Sequence, residues 1–189
     1  ILVSSISFLI LISCLNLNPN KNKKYFYSPY QNIVLEYLNN PLSPVLINIS
    51  HIFFQSPLNL SKNLKFNRSD VSPGNTYGYH VDIEHEREFY DIPYKVKNDL
   101  IKRVLIVGSG TGNDVSAAIR DKKVNKIDAV DIDPLIVDIG KSYHPERPYS
   151  SEKTSVFIDD ARSFIKKSKK KYYLIVYGLL DSQSNLSAK

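Results

Sequence analysis

Residues 103 to 120, RVLIVGSGTGNDVSAAIR, constrain the fold more than any other stretch of this chain. A short apolar run ends abruptly at Gly108, Gly110 and Gly112, and the pattern then resumes with helical spacing. A run of that length bounded by glycine reads as a strand buried on both faces. Glycine allows backbone dihedrals and close approach that a Cβ would forbid. Strand, glycine turn and helix together predict a parallel sheet, whose ligands lie beyond the carboxyl ends of the strands.

The alternation continues downstream. KIDAVDID reads as a strand, and PLIVDIGKSY as a helix with Pro134 in its first turn, where proline is tolerated. TSVFI, ARSFIKKS and YYLIVYG follow as strand, helix and strand. The fold class is therefore α/β, a Rossmann-like doubly wound parallel sheet with right-handed crossovers, over residues 101–189. Residues 25–100 carry strand-like pieces, QNIVLEYL and SPVLINIS, separated by Pro, Asn and Ser, which predict a small antiparallel region. HVDIEHEREFYDIPYKVKN has scattered apolar positions and is expected to be helical as far as Pro93.

The N-terminal residues ILVSSISFLILISCL are apolar apart from Ser and Cys, but shorter than the roughly 20 residues of a spanning helix. KNKK follows at 21 to 24. By the positive-inside rule this predicts a transmembrane segment over residues 1–18, a membrane-attached protein and a nucleotide domain in the cytoplasm. A cleaved signal peptide would need a basic start and a small-residue cleavage site, and neither is visible; a buried core helix is the other alternative. The chain contains no Met, so Ile1 is not an initiator residue, and a fragment of a longer product or a processed chain is expected. The single Cys14 excludes an internal disulfide framework. A net charge of +6 hints at acidic partners. The basic run KKSKKK at 166 to 171 closes a helix, where cations suit the dipole and the solvent, so no nucleic-acid partner is expected.

Asp131 follows the second strand of the unit, 23 positions beyond Gly108, close to the spacing of about 20 at which a carboxylate grips ribose hydroxyls. A dinucleotide fingerprint would need glycine at 113, which is Asn113. The turn instead suits an adenosyl group without a phosphate. Asp114, Asp131, Asp133, Asp159 and Asp160 would all lie near the strand ends, where they repel phosphate and favour a sulfonium cation. A nicotinamide-dependent oxidoreductase is disfavoured on the same ground, and no metal site is expected. A glycine turn of purely structural use is the alternative. Asp133 stands where it would cap the helix beginning at Pro134.

VLIVGSGTGNDV, DAVDIDP, HPERPY, DDARSF and YYLIVYGLLDS, in that order, resemble the class I S-adenosylmethionine-dependent methyltransferase fold. More narrowly they resemble its spermidine synthase-like branch, including membrane-attached members. YSPYQNIVL at 27 to 35 resembles the Tyr-Gln strand that precedes the nucleotide domain in spermidine synthases, so the resemblance covers roughly residues 27 to 182. It implies S-adenosylmethionine or its decarboxylated form as co-substrate and a small amine or methyl acceptor. It also leaves room for a homo-oligomer. By the same resemblance Gly108, Gly110 and Gly112 would pack on the adenosyl-amino-acid moiety, Asp131 would bind the ribose, and Asp160 with the Ala161 amide would bind adenine. Gln31 would help to hold the nucleotide from the N-terminal region.

The implied chemistry is aminopropyl transfer to a polyamine, in which a deprotonated amine attacks the carbon beside a sulfonium. It needs a base, which the family supplies as an Asp after the fourth strand, followed by two small residues and a second Asp. Here Gly178 takes the first of those places and Asp181 the second, leaving Asp181 as the catalytic candidate; Tyr173 replaces an acidic residue common before this strand. A methyltransferase, or a nucleotide-binding protein without transferase activity, is the alternative expectation. His80 and His85 precede the domain and could face the site, while His144 is expected to brace the loop after the second helix.

Overall fold

The computed structural model of the protein describes residues 22–38, 40–49, 52–64, 82–96 and 102–178. Four strands open the described chain: β1 (Lys23–Tyr27), β2 (Asn32–Tyr37), β3 (Val45–Ile49) and β4 (Ile52–Gln55). They pair antiparallel in the order β1-β2-β3-β4, with an irregularity between Ile47 and Asn48. Helix α1 (Ile83–Val96) follows, then β5 (Arg103–Val107), α2 (Asn113–Arg120), β6 (Lys126–Asp131), α3 (Pro134–Tyr143), a 3₁₀ turn (Pro148–Ser150), β7 (Thr154–Ile158), α4 (Ala161–Lys167) and β8 (Leu174–Tyr177). The second sheet is parallel throughout, in the order β7-β6-β5-β8.

This is the doubly wound arrangement expected from the alternating pattern. The chain steps from β5 to β6 and β7 on one side, then crosses to β8 on the other, so the topological switch falls at the end of β5. Val104, Leu105, Ile106 and Val107 are all buried, as a central strand covered on both faces requires. One face packs on α1 and α2 through Tyr94, Val115, Ala117 and Ala118; the other packs on α4 through Phe157, Ala161 and Phe164. Asp128 on β6 is buried, yet it accepts hydrogen bonds from Arg103, Lys170 and the Tyr172 hydroxyl, which is what makes a carboxylate tolerable there. Lys170 belongs to the basic run, all of whose lysines are exposed.

The N-terminal sheet is joined to this unit. Ile33, Leu35, Val45, Ile47 and Ile49 form one core with Ile136 and Ile139 of α3. The Asn113 side chain ties three further segments together. Its Oδ1 accepts from the Leu58 amide at 2.9 Å and faces His144 Nε2 at 3.1 Å. Its Nδ2 donates to the Ser56 carbonyl at 3.0 Å and the Tyr90 hydroxyl at 3.2 Å. That fills the hydrogen-bonding capacity of a primary amide. His144 Nδ1 accepts from the Glu146 amide, so the ring proton lies on Nε2 and is given to Asn113. The expected bracing role of His144 is therefore observed. Arg120 adds ion pairs to Asp91 and Glu146, both at 3.1 Å.

Two expectations change. Helix α1 runs through Pro93 to Val96 instead of stopping at it. The proline falls in the last turn, where the single bond its missing N–H removes is cheapest to lose. Among the described residues no helix is long and apolar enough to cross a membrane. The longest of them, α1, has 14 residues, about 21 Å at 1.5 Å per residue. The segment at residues 1–18 lies outside the described residues.

Asn113→Ala strands the Leu58 amide, the Ser56 carbonyl and the His144 ring proton, and should cost about 3 kcal/mol or more in urea unfolding. His144 supplies a pH test. Burial lowers its pKa to about 3, against about 6.5 in the unfolded chain. The unfolded state therefore binds the extra proton, and this contribution to stability is lost progressively as pH falls from about 6.5 towards 3. Asp114, pushed up to about 6 by burial, works in the opposite sense. Wild type should accordingly be compared with His144→Gln, in which Asp114 is common to both: the stability advantage of wild type should shrink between pH 7 and pH 4.

Candidate nucleotide site

The turn after β5 is built to stay in place. The amides of Gly108 and Ser109 both donate to the Val130 carbonyl at the end of β6, at 2.9 and 3.1 Å. Gly110 and Gly112 have φ of +55° and +108°, in the left-handed region that favours glycine. Gly112 is the N-cap of α2, so the turn leads directly into a helix N-terminus.

Asp131, the last residue of β6, holds both sides of this edge. Its Oδ2 accepts from the Gly110 amide at 2.7 Å and its Oδ1 from the Asp133 amide at 2.9 Å. Burial raises its pKa, and those two amides pull the other way. The Ile132 amide acts on it as well; with about four acceptor sites, the carboxylate can still accept from a ligand hydroxyl.

Asp133 caps α3 through the Leu135 amide, as the sequence led one to expect. Its other oxygen accepts from Ser28 Oγ at 2.7 Å and Gln31 Nε2 at 2.9 Å. Gln31 is thus brought to the strand-end edge, but its amide nitrogen bonds to Asp133. Asp160 lies just beyond β7 and caps α4 through the Ser163 amide at 3.0 Å. Ala161 opens that helix, where amides have no partner within the helix. Gly108, Gly110, Gly112, Gln31, Asp131, Asp160 and Ala161 therefore share one end of the parallel sheet and its N-terminal flank. Asp181 and His80 lie outside the described residues. His85 is exposed on α1.

Two residues of this edge escaped the sequence argument. Gln55, at the end of β4, accepts from both the amide and the hydroxyl of Thr111, at 3.1 and 2.9 Å. Tyr149, in the 3₁₀ turn, reaches Ser109 and Gly110. Their partners lie 56 and about 40 residues away, and the only available signal was a polar residue ending an apolar strand, IFFQ.

These neighbours explain the glycines. A Cβ on Gly110 would lie 2.8 Å from Gln55 Oε1, and one on Gly112 would lie 2.7 Å from Pro148 Cγ. Protein side chains fill both spaces. Gly178, where an Asp was sought, donates its amide to the Val107 carbonyl, and a Cβ there would lie 2.5 Å from the Gly108 carbonyl oxygen. That neighbour is backbone and cannot swing aside. Gly178→Ala should therefore lower stability by about 1–3 kcal/mol in chemical denaturation. It should also shift the amide resonances of Gly108 and Ser109 more than those of β7.

Comparison with known proteins agrees with this fold. The model of the spermine/spermidine synthase domain matches residues 80–188. The chain is 35% identical over 86 residues to the polyamine aminopropyltransferase of Clostridium perfringens, covering 44% of this chain and 30% of that one. It is 34% identical over 101 residues to that of Buchnera aphidicola subsp. Schizaphis graminum, covering 52% and 33%. The matches therefore span about a third of the length of these curated relatives. Among solved structures, spermidine synthase from Thermotoga maritima superposes with a TM-score of 0.58 at 16% identity, over 86% of this chain and 49% of that one. A spermidine synthase in complex with the transition state analogue AdoDATO gives 0.56 at 16% identity, over 82% and 48%. The expected membrane attachment is corrected: the matched relatives are polyamine aminopropyltransferases, and no described helix could span a bilayer. With a family model matching more than half of its length, the chain belongs to the spermine/spermidine synthase family.

Proposed function

We propose that this chain carries the nucleotide site of an aminopropyltransferase that takes decarboxylated S-adenosylmethionine and passes its aminopropyl group to a polyamine. The observation that carries the proposal is the Asp131 carboxylate, fastened to the Gly110 amide at the switch point of the sheet. It is held rigidly where ribose hydroxyls would arrive, beyond the carboxyl ends of β5 and β6. Asp159 and Asp160 stand beyond β7 on the same rim but have Lys167 at 3.7 Å and Arg162 at 3.8 Å beside them, so the attraction for a sulfonium comes chiefly from Asp131 and Asp133. In the reaction the amine lone pair attacks the carbon beside that sulfonium, the carbon–sulfur bond breaks to leave a neutral thioether, and the amine proton passes to a base. The roles of Gln31, Asp160 and the Ala161 amide toward the adenosyl group, and of Asp181 toward the amine, belong to this proposal.

A second reading, a nucleotide binder without aminopropyl transfer, draws support from Gly178. The closeness of Gly108 leaves no room there for the carboxylate expected to act as base. Loss of a positioned base typically costs about 10²–10⁴-fold in rate.

Calorimetric titration separates these readings. Decarboxylated S-adenosylmethionine should bind, and Asp131→Ala should weaken binding about 10–100-fold, the loss expected of hydrogen bonds to a charged acceptor. Product formation with a polyamine then decides between transfer and binding alone. Equal affinity of wild type and Asp131→Ala would rule out the site as described.

A further inference from the structure

The turn between β5 and α2 is gripped from both sides. The peptide plane joining Ser109 to Gly110 gives its amide to Asp131, and the plane joining Gly110 to Thr111 gives its amide to Gln55. The carbonyls of the same two planes face one group, the Tyr149 hydroxyl, 2.7 Å from the Gly110 oxygen and 3.1 Å from the Ser109 oxygen. Ser109 Oγ lies 3.1 Å from the same hydroxyl. A plane flanked by glycine flips at little steric cost. Holding its amide alone leaves its carbonyl to whatever donor is near.

The placement of Tyr149 is itself enforced. Arg147, with φ of +49°, is the one described non-glycine residue in the left-handed region, and it turns the chain into the 3₁₀ segment that presents Tyr149. Such a conformation costs on the order of 1–3 kcal/mol and persists only where its surroundings enforce it. The ring stands where Cβ atoms on Gly112 and Gly140 would be, at 3.4 and 2.8 Å. Burial raises the pKa of the hydroxyl, so it remains a donor at neutral pH.

We propose that Tyr149 is a positioning residue of the nucleotide site, whose single hydroxyl proton, given mainly to the Gly110 carbonyl and shared with that of Ser109, steadies the two peptide planes that present amides to Asp131 and Gln55. Its effect on the ligand rests on the nucleotide reading above; its effect on the turn does not. The hydroxyl touches no reacting atom and acts by denying the turn its flipped states, so that the nucleotide meets one arrangement of the loop.

Tyr149→Phe keeps the ring and removes only the hydroxyl. In the unliganded full chain, the Gly110 and Thr111 amides should exchange with solvent at least about tenfold faster than in wild type, while those of β5 keep their protection. In titration the variant should bind decarboxylated S-adenosylmethionine about tenfold more weakly, while still unfolding cooperatively with a melting midpoint lowered by only about a few degrees. Unchanged exchange at the turn would overturn the proposal. So would equal acceleration throughout the domain, loss of cooperative unfolding, or faster exchange with undiminished affinity. If wild type binds no nucleotide, the functional reading fails, and the exchange measurement alone decides whether Tyr149 holds the turn.

Discussion

The side-chain amide of Asn113 is the interaction on which the arrangement of the site depends. It is the first residue of α2 and is buried among segments from three other parts of the chain. Each bond it makes is ordinary, worth on the order of 1 kcal/mol. Their combination fixes how the turn after the N-terminal sheet, helix α1 and the loop after α3 meet at the mouth of β5. A glycine at 113, as a dinucleotide site would require, could make none of these bonds. Position 113 is therefore given to assembling the walls of the site.

The loop glycines have a related explanation. The absence of side chains at 108, 110 and 112 first points to a ligand lying against the backbone. At 110 and 112 the vacated space is taken by Gln55 and by Pro148 with Tyr149. The turn is bare so that the protein can close on it from two sides, and in the proposed site it is the Asp131 carboxylate that would face a ligand. Clamping of this kind lets a flexible sequence behave as a rigid binding element.

Much of this was legible in the sequence, for physical reasons. Val104 to Val107 read as a short buried strand, and the alternation after it implied a parallel sheet. The Asp133 cap and the Asp131 position follow from spacings of a few residues or from one crossover. His144 was legible as a brace, though not as the donor to Asn113. Gln55 and Tyr149 were not legible, because their roles depend on how two sheets and a 3₁₀ turn converge. Pro93 misled because a proline in the last turn of a helix reads locally like one that ends it. The occupants of the glycine spaces were invisible for the same reason as Gln55: a missing Cβ shows that something is near, not what it is.

A Cβ at Gly178 would meet the carbonyl oxygen of Gly108, so a side chain at 178 requires the turn after β5 to move. An acidic residue placed at 178 by a single substitution would have to displace that turn before its carboxylate could be accommodated.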